Sequence, residues 1–242
     1  MDYEEISYGN NRAVSREQQM EAQLAFPALM RKVYLWMSLA LIITGMAAYT
    51  VASNETLMSA IFGNQIVFWV LVIGELGLVI GLSAAINRLS LTMATLMFVL
   101  YSVVNGVTLA SIFFVYTTAS ITQVFFITAA TFAVMAFIGY TTKSDLTSIG
   151  KISLMAVIGL IIAGIVNIFV KSSALDLIVS GIGVLVFVGL TAYDSQKIKQ
   201  MLLMAGNTGE GAQKIALLGA LSLYLDFVNL FLYLLRFLGK RE

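Results

Sequence analysis

The chain contains no cysteine, no histidine, a single proline and few charges. Without cysteine there is no disulfide, no thiolate metal site and no cysteine nucleophile. Without histidine, the side chain that ordinarily titrates near neutral pH is missing. Any response to pH must then use carboxylates whose protonation is altered by their surroundings. The one proline, Pro27, precedes the first long apolar run. Charged residues make up 11% of the 242 and hydrophobic ones 60%, which places the chain among membrane proteins. A net charge of +1 supplies no basic field for nucleic acid.

What is abundant is hydrocarbon-compatible sequence. A helix needs about 20 apolar residues to cross ~30 Å of hydrocarbon. Segments 33–53, 65–86, 90–115, 121–142, 152–170, 175–197 and 215–238 meet that requirement approximately. The connections are short, and no stretch is long enough for a soluble domain. The expected plan is therefore an N-terminal tail over residues 1–32 and one all-α integral membrane bundle of seven helices over 33–239. The tail, MDYEEISYGNNRAVSREQQMEAQLAF, is polar and lacks the basic start and early apolar core of a cleaved signal peptide. It is expected to stay in the cytosol, partly helical from about Ser15.

Orientation follows from Lys and Arg. Arg12, Arg16, Arg31 and Lys32 precede the first span, and Arg88 follows the second. Lys143 and Lys151 flank the fourth connection; Lys197, Lys199 and Lys214 flank the sixth. The alternate loops hold only Lys171, so the N-terminus is expected inside. Seven crossings then leave Arg236, Lys240 and Arg241 outside, against the rule. A last helix that crosses is favoured over one that dips in and returns.

Small residues are expected to mark close helix contacts. Gly74, Gly77 and Gly81 share a face of the second span, the latter two in GxxxG spacing; Gly181, Gly183 and Gly189 lie on the sixth. A phosphate-loop reading fails, because no strand precedes these glycines and no Lys-Ser/Thr follows them.

Glu75, Asp194 and Asp226 lie within apolar spans. A carboxylate at the bilayer centre costs about 2.5–3.5 kcal/mol on insertion scales, and such residues face a cavity or a partner. Asp194, near the end of its span, could reach the interface, and Glu75 could be a protonated or interhelical hydrogen-bonding group. Asp226 is deeper. On the last helix Ser222, Asp226, Asn229, Tyr233 and Arg236 are spaced four, three, four and three residues apart, which puts them on one face. In a bilayer such a stripe faces other helices or a wet path, so this helix belongs in the middle of a bundle. Thr191 and Asp194 share a face of the sixth helix in the same way. The sixth and seventh helices are antiparallel, with Asp226 roughly 10–15 Å along from the end near Asp194. If the two carboxylates meet, they cannot both ionise easily, which makes a pH-sensitive element without histidine.

Four stretches occur in order: GYTTKSDLTSIGK (139–151), GLIIAGIVNIFV (159–170), TAYDSQKIK (191–199) and ALSLYLDFVNLFLYLLR (220–236). Together they resemble the Bax inhibitor-1 family, over roughly Pro27 to Gly239. The resemblance implies a seven-helix fold in which two three-helix layers wrap a central C-terminal helix. It also implies a pH-sensitive calcium leak governed by a hydrogen-bonded aspartate pair, which here would be Asp194 of the AYD motif and Asp226 of the LYLDF motif. Glu75, in ELGLV, resembles the family's acidic position on the second helix, and Arg88 the basic residue that latches the pore. The longer sixth connection, AGNTGEGAQ, leaves that loop's geometry open. The signal-free N-terminus and compact size look like a bacterial inner-membrane member.

Calcium would then be the transported ion, with no resident cofactor. It takes 6–8 oxygen ligands. Asp194 and Asp226 would hold it transiently, and Ser222, Asn229 and Tyr233 along the path offer only a few oxygens more. An incomplete site suits passage, which needs both entry and exit. The expected partners are the lipid bilayer, calcium ions and protons. A second class of function stays open: an interaction protein that regulates a membrane protease or a cell-stress or death-pathway partner without conducting ions. An intramembrane aspartyl protease would match Tyr193-Asp194, but Leu223-Tyr224-Leu225-Asp226 lacks the Gly-x-Gly-Asp of those enzymes, and Pro27-Ala28-Leu29 precedes the first span. A proton-coupled transporter is weakened by the lack of a half-length repeat. No enzymatic activity is expected.

Overall fold

The structure, a computed structural model, describes residues 3–205 and 208–241, with side chains from Leu24 onward. The side chains of Arg12 and Arg16 thus lie outside the described residues. Helix α1 runs from Tyr3 to Ala52 without a break, starting well before Ser15 and passing through Pro27. The other helices are α2 (Glu55–Phe62), α3 (Gln65–Ala85), α4 (Leu91–Leu109, continued by a 3-10 turn over Ala110–Phe114), α5 (Thr118–Thr141), α6 (Thr147–Val170), α7 (Ser173–Ala205) and α8 (Glu210–Leu238). Seven helices are long and apolar enough to span a membrane: all but α2, with the apolar part of α1 beginning at Leu24.

The ends of these helices are set by short polar residues in the connections. Asn54, Asn64, Ser90 and Thr117 cap α2, α3, α4 and α5, each side-chain oxygen accepting an orphan N–H of the first turn. Lys171 ends α6 in the left-handed region (φ 52°), and Ser172 then accepts from Leu175 to start α7. Each break costs only a few residues, so the chain reverses direction at each connection between the long helices.

Helices α1, α3 and α4 pack into one group, with α4 touching both others. Helices α5, α6 and α7 form a second group around α7. Helix α8 lies between the groups, in contact with α1, α4, α5 and α7. Its membrane-length window is 67% buried, against 6% for α3 and 11% for α6, so α8 is the core and those two are the lipid-facing margins. Water does not drive these contacts in hydrocarbon, where shape fit and interhelical hydrogen bonds do the work. The fit is aromatic: Phe98 and Tyr101 meet fully buried Tyr224 edge-on at 5.9 and 5.8 Å, and Phe125 and Phe132 meet Phe227 at 5.5 Å.

The glycine expectation is corrected here. Gly74 and Gly77 face open space on α3, and Gly81 meets only the tip of Met97 at 3.8 Å. Since α3 is a margin, its small-residue face has no helix to receive. The close approaches lie elsewhere. A Cβ at Gly139 would stand 2.0 Å from the Ala192 carbonyl oxygen on α7, and one at Gly106 would stand 2.4 Å from that of Thr44 on α1. Gly183 conforms to expectation, lying under the Tyr233 ring.

Helix α8 runs the length of the bundle without turning back. Its far end is stitched to the α4–α5 connection by Thr117 N–H to the Lys240 carbonyl (3.3 Å) and Lys240 N–H to Ser120 Oγ (2.9 Å). The opposite end of the bundle gathers Arg31, Lys32, Arg88, Lys143, Lys199 and Lys214. There, Lys32 donates to Gln213 (3.3 Å), and Glu210 pairs with Lys214 (3.0 Å) while accepting Leu91 N–H. In the α5–α6 connection at this same end, Asp145 caps Thr147 N–H (2.9 Å), and these hydrogen bonds hold its carboxyl below the usual range.

Candidate functional site

Antiparallel α7 and α8 form the most extensive helix contact in the molecule. Their register is read from two ends: Ile198 packs over Gly219, and Tyr233 covers Gly183 and stacks on Phe187 at 5.6 Å. This alignment sets Asp226 opposite the Thr191–Asp194 stretch. Both helices outrun the expected spans, α7 to Ala205 and α8 from Glu210. Asp194 is therefore not at a helix end but eleven residues from it, and the axial gap to Asp226 shrinks to about one turn, ~5 Å.

Asp226 is 4% exposed, and its Oδ2 has no hydrogen-bond partner, the one such buried side-chain atom among the described residues. The charge that bears on it is that of Asp194. No direct hydrogen bond joins the two carboxyls among the described contacts. Lys197, one turn along α7 from Asp194, is the cation whose charge bears on that carboxylate, and it sits 5.7 Å from the Tyr193 ring. The i, i+3 spacing of Asp194 and Lys197 is visible in the sequence, where Lys197 serves as an orientation signal. Among the described residues, no third acidic group joins the pair to complete a metal cluster.

The polar stripe of α8 runs along this seam. Ser222 and Asn229 are partly buried, and Asn229 Nδ2 donates to its own helix at Leu225 (2.8 Å). Beyond Tyr233 the seam opens into a crevice of about 530 Å³ lined by Asn167, Asp176, Tyr233 and Arg236. There Asp176 forms an ion pair with Arg236 (3.7 Å) and accepts a hydrogen bond from Arg241 (3.3 Å). Arg88 is exposed in the α3–α4 turn and makes no contact with either aspartate of the pair.

Glu75 belongs to a second polar constellation, on the other flank of α8. Asn105 Nδ2 donates to Glu75, Tyr224 OH donates to Asn105 Oδ1 (2.8 Å), and Tyr224 OH lies 2.7 Å from Thr44 Oγ1, which donates to the Ser102 carbonyl (2.9 Å). This chain joins α3, α4, α8 and α1. Two hydroxyl protons cannot serve three contacts at once. With Asn105 Nδ2 donating to Glu75 and Tyr224 OH donating to Asn105, the Thr44 proton is divided between the Tyr224 oxygen and the Ser102 carbonyl. Thr44, Asn105 and Tyr224 were not singled out in the sequence, because isolated polar residues in apolar runs form no periodic pattern.

Between α1 and α7, Tyr34 OH lies 3.4 Å from Ser195 Oγ, which donates to the Ala136 carbonyl (2.8 Å). The residue next to Asp194 thus ties three helices together, and Gly139 brings α5 against α7 one turn away.

Comparison with known proteins agrees with this architecture. The family model described as Inhibitor of apoptosis-promoting Bax1 matches residues 27–242. An inner membrane protein of Escherichia coli strain K12, YbhL, is 47% identical over 214 residues, covering 88% of this chain and 92% of the relative. An uncharacterised protein of Borreliella burgdorferi is 46% identical over 211 residues, 87% of this chain and 91% of its own. One from Rickettsia prowazekii is 45% identical over 217 residues, covering 88% and 89%. With a match over nearly the whole chain and seven membrane-length helices, the last of them buried among the other six, the protein is a multi-pass integral membrane member of the Bax inhibitor-1 family.

Proposed function

We propose that the protein is a pH-sensitive calcium leak channel gated by a proton shared between Asp194 and Asp226. The supporting observation is the unpartnered Asp226 Oδ2, buried on the central helix with Asp194 as its charged neighbour. A buried carboxylate without a partner is costly, and it is relieved by a proton or by a cation. With one proton held between the pair, α7 and α8 stay closed against each other. Without it, like charges separate or admit a cation between them. Each unit by which a proton's affinity differs between two states biases them by about 1.4 kcal/mol, so two or three units move a two-state equilibrium across most of its range.

In this reading the ion passes Ser222, Asp226, Asn229 and Tyr233, and the crevice at Asp176 and Arg236 is the mouth away from the lysine-rich face. Tyr233, seated on Gly183, is the narrow point on that side. Calcium is cargo, touched transiently by Asp194 and Asp226, and no chemistry is catalysed. The proposed location is a bacterial inner membrane, with the N-terminus in the cytosol.

The test is calcium flux into liposomes holding the purified protein, between about pH 5 and 8. Flux should depend on pH, and Asp194→Asn and Asp226→Asn should each abolish or displace that dependence, since either leaves a lone carboxyl. If both variants keep the parental profile, the shared-proton account is wrong. Absence of flux at every pH would leave the non-conducting reading, regulation of a membrane protease or stress partner, as the function to pursue.

A further inference from the structure

A groove of about 720 Å³ lies between α1 and α5, within the size range of sites that enclose small ligands. Its walls run from Pro27 to Ile42 on α1 and from Tyr140 to Phe125 on α5. Fifteen residues of helix rise about 22 Å, which exceeds the ~15 Å of one hydrocarbon leaflet. The groove therefore reaches from headgroup level to beyond the midplane. Its body is apolar, floored by Phe132 and Phe227, and its charge is confined to one end.

That end is cationic. Arg31 lines the mouth, is exposed, and has no ion-pair partner among the described residues. Lys199, outside the lining, donates to the carbonyl of Tyr140 in the wall (2.8 Å) with its ammonium 5.2 Å from the ring. Among the described residues, no carboxylate lines the groove. A long apolar slot with one uncompensated cation at the headgroup end complements the charge and shape of an anionic glycerophospholipid, one chain in the slot and the phosphate at Arg31.

We propose that this groove is a binding site for one anionic phospholipid of the leaflet on the lysine-rich side. The site is distinct from the carboxylate seam and does not depend on ion conduction. It does touch the seam's supports: Tyr34 in the wall bonds Ser195 beside Asp194, and Phe227 in the floor follows Asp226.

The experiment uses the full chain purified in mild detergent and titrated with dioleoyl phosphatidylglycerol or dioleoyl phosphatidylcholine, with bound lipid counted by native mass spectrometry. One phosphatidylglycerol should be retained per chain, in preference to phosphatidylcholine. Arg31→Gln should reduce that preference about fivefold, one cation's share of the attraction at an anionic surface. Ala133→Trp, which fills the groove from α5, should abolish retention of either lipid, while Leu154→Trp on the lipid-facing side of α6 should leave it intact. Equal retention of both lipids would overturn the proposal, and so would full retention by Ala133→Trp. A dimer that Ala133→Trp converts to monomer would also overturn it by assigning the groove to a second copy of the chain. If Ala133→Trp fails to fold, the exposed Arg31 substitution decides alone.

Discussion

Replacing Gly139 with alanine should loosen the bundle at its most confined helix crossing, while the same change at Gly77 should be harmless. At Gly139 the new methyl would lie 2.0 Å from the Ala192 carbonyl oxygen and 2.7 Å from its carbon. Ordinary contact begins near 3.4 Å, so α5 and α7 must part by more than 1 Å, and the obstacle is backbone, which has no rotamer to change. Overpacking costs about 1–3 kcal/mol, and a backbone obstacle puts this site at or above the top of that range. Alanine returns about 1 kcal/mol of helix propensity, leaving a net loss of roughly 2 kcal/mol. At Gly77 nothing lies within 4 Å, so only the propensity gain of about 1 kcal/mol remains. For a chain of this length 1 kcal/mol is about 2–4 °C, so thermal unfolding in detergent should separate the variants by roughly 6–12 °C, with Gly77→Ala the more stable. Because Ala192 lies two residues from Asp194, the Gly139 variant should also alter the pH profile of calcium flux. Equal melting temperatures, or a lower one for Gly77→Ala, would refute the reasoning and restore the GxxxG face of α3 as a packing surface.

Tyr224→Phe removes the hydroxyl between Thr44 and Asn105 and should cost about 1–2 kcal/mol, and a double-mutant cycle with Thr44→Val should give a coupling of about 0.5–1.5 kcal/mol by thermal unfolding; additive effects would mean the 2.7 Å contact carries no energy. Glu75→Gln keeps a carbonyl oxygen to accept from Asn105, so it should keep parental stability, whereas Glu75→Leu should lose about 1–3 kcal/mol; equal melting of the two would show that Asn105 does not need its partner. A cysteine at Ser144, or at Asn207 (outside the described residues), should react with a membrane-impermeant reagent from the cytosolic side, and one at Ser172 only from the other. The native chain has no cysteine to confuse the result, and protection of Ser144 from the cytosolic side would invert the topology.

Much of this fold was legible because hydrophobic length is read directly by the bilayer. Each of the seven expected spans corresponds to a helix, and the stripe from Ser222 to Arg236 marked α8 as central before any contact was known. Helix ends were less legible. Lys197, Lys199 and Gln200 look like an exit from the membrane, yet α7 continues to Ala205. Polarity ends a membrane span without ending a helix. Helix α2 (Glu55–Phe62) was missed because eight residues cannot span and so leave no hydropathy signal. The glycines failed for a different reason: spacing shows that a face is smooth, not which helix lies against it. Asp176 carries no signal in the sequence, because at the edge of its span a carboxylate is inexpensive and therefore uninformative.

Asp176 also explains why the last helix can end on the side that the lysine and arginine pattern disfavours. The rule weighs free cations near the ends of spans. Of the three cations at the end of α8, Arg236 and Arg241 both pair with Asp176 at the start of α7, and Arg236 lies 5.7 Å from the Tyr233 ring. The third, Lys240, is fixed through its backbone to Thr117 and Ser120. On the opposite face, Arg31, Arg88 and Lys143 have no ion-pair partner among the described residues, so the imbalance in unpaired charge still favours that side as cytosolic. Asp176→Asn should therefore do more than remove two exposed ion pairs, each worth at most about 1 kcal/mol. It should free two arginines at the mouth of the crevice beside Tyr233 and place uncompensated positive charge on the proposed exit path. Calcium flux should fall while stability changes little. Unchanged flux in that variant would separate the crevice from the ion path and confine the proposed route to the seam between Asp194 and Asp226.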